Sequence, residues 1–425
     1  MGLNPGDQVD LRLEKPASGG RMIARHEGEV VLVSGGIPGE RVIARITRAE
    51  KRVAFAEVMS VTTPSDDRQD ADDPACGGCL YAHVAYSRQL ELKAQIIEDA
   101  FARIGKIPLA GRVVVSSGPD SGYRMKARFH VGAGRAGFYR EGTHDLCDPR
   151  QTRQLTDASL DAVDAAVSAL QTAGAICRSV ELSESIDATQ RAVHVDVESF
   201  ERLEHALACA VAAAPLAGAT GRAADGRRAV AGDPVVREDI GLLTGGPAGG
   251  VMLGRHPESF FQANRYMIGA LVSDVMDSVP AGRILDLYSG VGLFSVALAA
   301  AERGEVTAVE GDPVSGADLE QNAAPFGDRI RLARSSVEGF LMRRRAGPPA
   351  TLIVDPPRTG LSKEAGDAIA RSRAMRIVYV SCDAPTMARD ARRLLDAGYR
   401  LESLRAIDLF PNTPHVECVA VFGLR

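Results

Sequence analysis

From about residue 236 to the end of the chain, short apolar runs alternate with helical stretches, and no other feature restricts the fold as tightly. The runs are "RILDLY", "EVTAVEG", "TLIVDPP", "RIVYVSC", "LESLRAIDLF" and "ECVAVFG", with helical spacing between the first four. A strand that is apolar on both faces must be covered on both. The rhythm therefore predicts an open, mostly parallel sheet with helices on either side. The last two runs have no helix between them, which predicts an antiparallel hairpin at one edge. A plain dinucleotide-binding sheet has no need of that hairpin.

The segment "LDLYSGVGLFSVALA" sets Gly290 and Gly292 directly after a strand and at the start of a helix. Glycines there let a ligand approach the backbone closely. Glu310 closes the next strand, where an acid can accept hydrogen bonds from ribose hydroxyls. The dinucleotide pattern asks for a third glycine near Ser295, and none is present. Asp286 just before the turn, together with the terminal hairpin, fits S-adenosylmethionine better. In such sheets ligands lie beyond the carboxyl ends of the strands. Asp355 ends "TLIVDPP" and Cys382 ends "RIVYVSC", so both point to the crevice of Gly290 and Glu310.

A buried cysteine filling a strand end is common, but beside a methyl donor a thiol has a specific use. C5 of a pyrimidine is too poor a nucleophile to attack a sulfonium unaided. A thiolate that adds to C6 turns C5 into an enolate or enamine carbon able to take a methyl group. A base must then remove the C5 proton so that the thiol can leave. "DLFPNTPHVECVAVFG" supplies Glu417 at the start of the last strand, where partial desolvation would raise its pKa towards that of a base. His415, two residues earlier, is the alternative base or a structural residue.

The amino-terminal residues 1–62 read as short alternating strands punctuated by glycine, the pattern of a small five-stranded barrel of the OB type. Arg41, Arg45, Arg48, Lys51 and Arg52 are either an RNA-facing set or ordinary solvated charges. The acidic stretch "SDDRQDADDPA" reads as a linker too polar to pack. Residues 63–235 then form a central α+β region that carries "CGGC". Its first helix, "YSRQLELKAQIIEDAFARIGK", has an apolar stripe of Leu90, Ala94, Ile97, Phe101 and Ile104. "YRMKARFHVGAGRAGFYREG" reads as a hairpin with Arg124, Lys126 and Arg128 on one face, suited to a phosphate backbone or merely solvated. Residues 155–235 hold two alanine-rich helical segments around strands. The third region, 236–425, is the sheet described first.

With 45% apolar residues, 25% charged residues and a net charge of −5, the 425-residue chain has an ordinary soluble composition. Any nucleic-acid contact must come from local basic faces. The start of the chain does not resemble a signal peptide, and no apolar run approaches bilayer length, so a cytoplasmic protein without a membrane partner is expected. The seven cysteines are scattered. A disulfide framework is not expected from them.

Taken in order, "FFQAN", "DLYSGVGLFS", "DPPRTGL", "YVSC" with "ARD", and "FPNTPHVE" resemble the motifs of the RNA 5-methyluridine methyltransferase family. The resemblance spans nearly the whole chain. It implies a class I, Rossmann-like methyltransferase sheet that binds S-adenosylmethionine through Gln262, Tyr288, Gly290, Glu310 and Asp355. It also makes Cys382 the nucleophile and Glu417 the proton acceptor. The barrel resembles the TRAM module of the ribosomal-RNA branch, so 23S rRNA is the favoured substrate, with transfer RNA the alternative and a monomer the expected state. Family members with a four-iron cluster carry a cysteine six residues before the "CGGC" pair and a fourth further on. Asp70 stands at the first of these positions and Thr152 at the second, with Cys147 out of register. Cys76 and Cys79 are then remnants of a lost cluster, unless Asp70 or Cys147 completes it. The chain also has Asp-Ala-Pro after Cys382 where the family has Asn-Pro. Three rivals stand beside this reading. A 5-methylcytosine RNA methyltransferase would carry a second cysteine where Pro357 lies, and an amino-group methyltransferase would carry an aromatic residue at Arg358. The third is an RNA-binding protein with a degenerate catalytic domain.

Overall fold

The structure is a computed structural model that describes residues 2–71, 73, 75–246 and 250–425. Its C-terminal sheet has eight strands. In spatial order they begin with Ile330–Arg334, Val306–Glu310, Ile284–Leu287, Thr351–Val354 and Arg376–Ser381, all parallel, and continue with Glu417–Leu424, Tyr399–Ile407 and Val115–Ser116. Glu417–Leu424 runs antiparallel to both of its neighbours. The expected hairpin is therefore present, with the two-residue strand Val115–Ser116 added parallel outside it. The central strands Ile284–Leu287 and Thr351–Val354 are buried at every residue, as parallel strands covered on both faces must be. The helix Leu293–Ala300 is buried at seven successive positions, from Leu293 to Ala299, which explains its lack of a polar face.

The strand Ile330–Arg334 was not among the runs read from the sequence. It lies at the sheet edge, only Ile330 is buried in it, and so it lacks the continuous apolar run of its neighbours.

The amino-terminal strands Gln8–Pro16, Met22–His26, Glu29–Ser34, Arg41–Glu50 and Val53–Thr63 close into a five-stranded barrel around their own core. Three of its five candidate basic residues already face acids: Arg41 bonds to Asp10, Arg45 to Glu57, and Arg48 pairs with Glu50. The acidic stretch that follows packs, contrary to expectation. Arg68 donates to both oxygens of the fully buried Glu40 at 2.6 and 2.7 Å, and Arg68 also bridges to Val84. A charged linker can dock in this way because its one arginine neutralises a carboxylate that the barrel has buried. Asp72 and Pro74 of this stretch lie outside the described residues.

The central region is a seven-stranded sheet running from Arg228–Gly232 at one end to Leu146–Cys147 at the other, packed against the helices Asp157–Thr172 and Leu203–Ala213. The hairpin Lys126–Gly132 with Arg135–Tyr139 forms part of it, as expected. The earlier helix, Tyr86–Ala100, continues as a π-helical turn over Phe101–Gly105 and lies between the barrel and the C-terminal sheet. Leu92 joins the barrel core, whereas Ile97, Ala100 and Phe101 join the core under the C-terminal sheet.

Candidate active site

The glycine turn begins with strain. Tyr288 has φ 60°, a left-handed conformation costly for a tyrosine, and Gly290 (φ 56°) and Gly292 (φ 93°) follow it. A Cβ on Gly292 would crowd Leu319 Cδ1 at 2.6 Å, and its φ of 93° is one that other residues adopt only with strain. Gly290 has nothing within 4 Å of its missing Cβ, so its backbone is open to a ligand. Ser289 fixes the turn by donating to the Asp286 carbonyl at 2.8 Å and accepting from the Val309 N–H at 3.0 Å. Glu310 accepts from the N–H groups of Gly290 (2.7 Å), Gly311 (2.8 Å) and Asp312 (2.6 Å). It therefore braces the turn and retains acceptor capacity for a ligand. Asp286, fully buried below, accepts from Ser295 Oγ at 2.5 Å, and burial lifts its carboxyl to about 7.

Cys382 and Glu417 are brought together by sheet register. The antiparallel ladder pairs Ser381 with Cys418. The ladder ends there, and Cys382 and Glu417 are the residues next in line on either side. The terminal hairpin thus places a carboxyl beside the thiol at the carboxyl end of the sheet. Burial, reinforced by the Glu417 charge, pushes the Cys382 thiol up to about 11, while the Arg358 guanidinium draws it down. Glu417 is 2% exposed, and burial with the nearby Asp355 holds its carboxyl well above the ordinary range. Asp355 is likewise raised by burial, to about 7.

The segment after Cys382 is a capped helix start. Asp383 accepts from the Thr386 N–H at 2.9 Å and Pro385 lies in the first turn of the helix Ala384–Asp396, so Asp-Ala-Pro supplies the N-cap that Asn would. The "ARD" motif has a structural task. Asp390 accepts from the Leu361 N–H and from the Tyr379 hydroxyl, both at 2.9 Å, and so ties the loop bearing Asp355 and Arg358 to the strand bearing Cys382.

The residues read as nucleophile, proton acceptor and cofactor contacts line one cleft of about 660 Å³: Gln262, Tyr288, Gly290, Glu310, Asp355, Cys382 and Glu417. Arg124, Lys126 and Arg128 line it too, from the hairpin of the central region. His415 opens into the adjoining cavity instead, edge-on to Phe410, and burial lowers its pKa to about 4. Among the lining residues that carried no assigned role in the sequence reading are Arg358, Phe410 and the 65% exposed Phe260. Each lies inside a quoted motif, so the signal was present without an assignment.

The cysteines of "CGGC" do not fit a four-iron cluster. Cys76 is joined to Cys147 in a disulfide, which corrects the expectation of unpaired thiols. The Cys79 thiol donates to the Asp73 and Cys76 carbonyls. Thr152 turns its hydroxyl onto the Pro149 carbonyl and Asp70 is exposed, so neither serves as a further ligand. Cys147, set aside as out of register, reaches Cys76 because the short strand Leu146–Cys147 pairs with Arg135–Tyr139, and Arg140 bridges to Cys76.

Comparison with known proteins agrees with this architecture. A family profile described as tRNA (Uracil-5-)-methyltransferase matches residues 348–423, and the TRAM domain profile matches residues 3–59. An RNA methyltransferase of Streptomyces coelicolor is 31% identical over 98% of this chain and 93% of its own. The 23S rRNA (uracil(1939)-C(5))-methyltransferase RlmD of Alkalilimnicola ehrlichii is 30% identical over 98% and 97%. This chain belongs to the RNA uracil-C5 methyltransferase family. Its fold matches the Pyrococcus abyssi tRNA (uracil-54, C5)-methyltransferase, solved with S-adenosyl-L-homocysteine, with TM-score 0.78 over 97% of this chain and 99% of that one, at 24% identity. The tRNA (Uracil-5-)-methyltransferase profile match covers the strands Thr351–Val354 and Arg376–Ser381, Cys382 and most of the terminal hairpin. No helix among the described residues is long and apolar enough to cross a membrane.

Proposed function

We propose that this chain methylates C5 of a uracil in RNA, with 23S rRNA as the substrate, through a covalent bond from Cys382 to C6. The observation that carries the reading is that Cys382 and Glu417, the residues next in line beyond the last ladder pair Ser381–Cys418, line the same cleft as the glycine turn. Full-length similarity to a ribosomal-RNA enzyme and the TRAM barrel support the choice of RNA.

Gln262, Tyr288, Gly290, Glu310 and Asp355 would hold S-adenosylmethionine. The open face of Gly290 and the spare acceptor capacity of Glu310 suit that ligand. When bound, it supplies an electrophilic methyl group. The Cys382 thiol first gives up its proton to solvent; the thiolate Sγ then bonds to C6, and the C5–C6 π electrons move onto the O4 carbonyl as an enolate. At rest the thiol is protonated near neutral pH, and Arg358 is the group that favours its thiolate. Once C5 carries the methyl group, Glu417 takes the C5 proton. The C–H electron pair re-forms the C5–C6 double bond and the Cys382–C6 bond breaks. Burial suits Glu417 to this step because a raised pKa makes the carboxylate a stronger base.

In this reading residues 236–425 are the catalytic unit, 1–62 an RNA-binding barrel and 63–235 a bridge between them, and the protein works as a cytoplasmic monomer. The target uridine enters from a loop or is flipped from its stack, since a stacked base cannot reach the cleft. Nucleoside mass spectrometry of separated RNA fractions from cells with and without the gene tests the assignment. Loss of 5-methyluridine from 23S rRNA is expected. Loss from transfer RNA alone would reassign the substrate, and no loss in any fraction would overturn the reading.

A further inference from the structure

Beyond the cleft, the central sheet carries two more cavities whose walls are shared in sequence. One, of about 350 Å³, shares Arg124, Arg128, Ala263, Arg358 and Phe410 with the Cys382 cleft. The other, of about 420 Å³, shares Arg128, His130 and Tyr139 with the first. The three form one groove from Cys382 out across the hairpin. His130 lies four residues along its strand from Lys126, which lines the cleft, a distance of about 13 Å. That span suits a short single strand rather than a lone nucleotide.

The partition between the two outer cavities is aromatic. The His130 and Tyr139 rings stack with centroids 3.7 Å apart and 12° between planes, and His144 meets Tyr139 edge-on at 5.1 Å. Burial, with the charge of Arg128, keeps the His130 pKa below its ordinary value, so the pair presents a neutral face near neutral pH. Arginines ring the outer cavity: Arg128, Arg178 and Arg222. Each is paired with an acid, Arg128 with Glu181 and Asp196, Arg178 with Glu198, and Arg222 with Asp196 and Glu258. All three remain 43–60% exposed, and a guanidinium has five donors, so each keeps donors for a phosphate. Stacking rings inside a cationic groove are what an unpaired nucleic-acid strand needs.

We infer that this groove holds the single-stranded RNA next to the target uridine, with the His130–Tyr139 pair as the stacking platform for a second, unstacked base and Arg178 as a phosphate contact. The inference rests on the RNA reading above and extends it to named residues outside the reacting cleft. None of the sequence motifs assigned to methyl transfer includes them.

The test is fluorescence anisotropy with the full chain and two probes, a labelled oligouridylate long enough to fill the groove and a labelled uridine mononucleotide. Tyr139→Ala should weaken the long probe on the order of tenfold and leave the mononucleotide unchanged, while Tyr139→Phe should bind both like the native protein. Arg178→Gln should lower the slope of log affinity against log salt for the long probe by about 0.7. Unchanged affinity of Tyr139→Ala for the long probe, or equal loss for both probes, would overturn the platform. Because the readout is affinity, a wild-type protein that binds the long probe but methylates no RNA would refute the proposed function and leave the groove standing.

Discussion

Each side chain proposed to act in catalysis is placed by its own few neighbours, and that makes single substitutions informative. Cys382→Ala removes the addition to C6, so neither product nor adduct should form, even with RNA containing 5-fluorouridine. Glu417→Gln keeps the shape and removes the base; turnover should fall by on the order of 10²–10⁴, and a methylated covalent RNA adduct should accumulate on denaturing gels. Free 5-methyluridine at the normal rate without adduct would show that another group takes the proton. The buried carboxyls at the strand ends also make stability depend on pH. Burial raises Asp286 to about 7, against about 4 when unfolded. The folded state holds that proton more tightly, so its contribution is complete below about pH 4 and is lost as pH rises through about 7. Asp286→Asn keeps an acceptor for Ser295 and should flatten the fall in Tm of the cofactor-free protein across that window. An unchanged slope would show that the carboxyl is ionised in the fold. At this scale the placement of Cys382, Glu310 and Glu417 around one cleft was legible, because each follows or ends a strand at the same end of the sheet. It was not legible for Arg358, whose effect on the thiol depends on the loop that Asp390 ties down.

The helix Tyr86–Ala100 shows where periodicity misleads. A stripe of Leu90, Ala94, Ile97, Phe101 and Ile104 presumes one buried face, yet this helix is enclosed by two cores. Its buried residues are Gln89, Leu92, Lys93, Ile96, Ile97 and Ala100, and Ile104 in the following π turn is 49% exposed. Lys93 is the consequence that spacing could not reveal. Fully buried, it donates to Asp408 at 2.6 Å and to the Phe410 carbonyl at 2.9 Å, which anchors the start of the segment leading to Glu417. Lys93→Met should leave Asp408 buried without its counter-charge and cost about 3–5 kcal/mol, measured by urea unfolding. Adding Asp408→Asn should recover part of that loss. A single variant as stable as the native protein would show that the pair is not charged in the fold. Elements with one environment, such as the barrel strands and the parallel strands, were read correctly because alternation or continuous apolarity suffices there. The edge strand Ile330–Arg334 and the docked segment around Arg68 have mixed environments, and they were missed.

Over the whole molecule, the long-range links decide what the "CGGC" segment does, and such links leave no local signature. Cys76 and Cys147 are 71 residues apart in sequence, and their disulfide ties the entry to the helix Tyr86–Ala100 onto the central hairpin. Sequence spacing pointed to Thr152 as the equivalent of a fourth ligand, because spacing cannot follow the turn that brings Leu146–Cys147 back against Arg135–Tyr139. A four-iron cluster asks for four thiolates. Here two sulfurs bond to each other, while the remaining Cys79 thiol donates to the Asp73 and Cys76 carbonyls. Protein purified without oxygen should therefore contain iron and sulfide far below stoichiometry. Proteolysis without reductant should yield a peptide pair linked through Cys76 and Cys147, with Cys79 free to alkylate after unfolding. The cross-link should also matter to the fold as a whole: closing a loop of this length is worth about 4 kcal/mol on the chain-entropy estimate. Cys147→Ser should lower stability by about that amount under oxidising conditions and by much less in reductant. Stoichiometric iron and sulfide that disappear in both Cys76→Ser and Cys147→Ser would show instead that the two sulfurs hold a cluster.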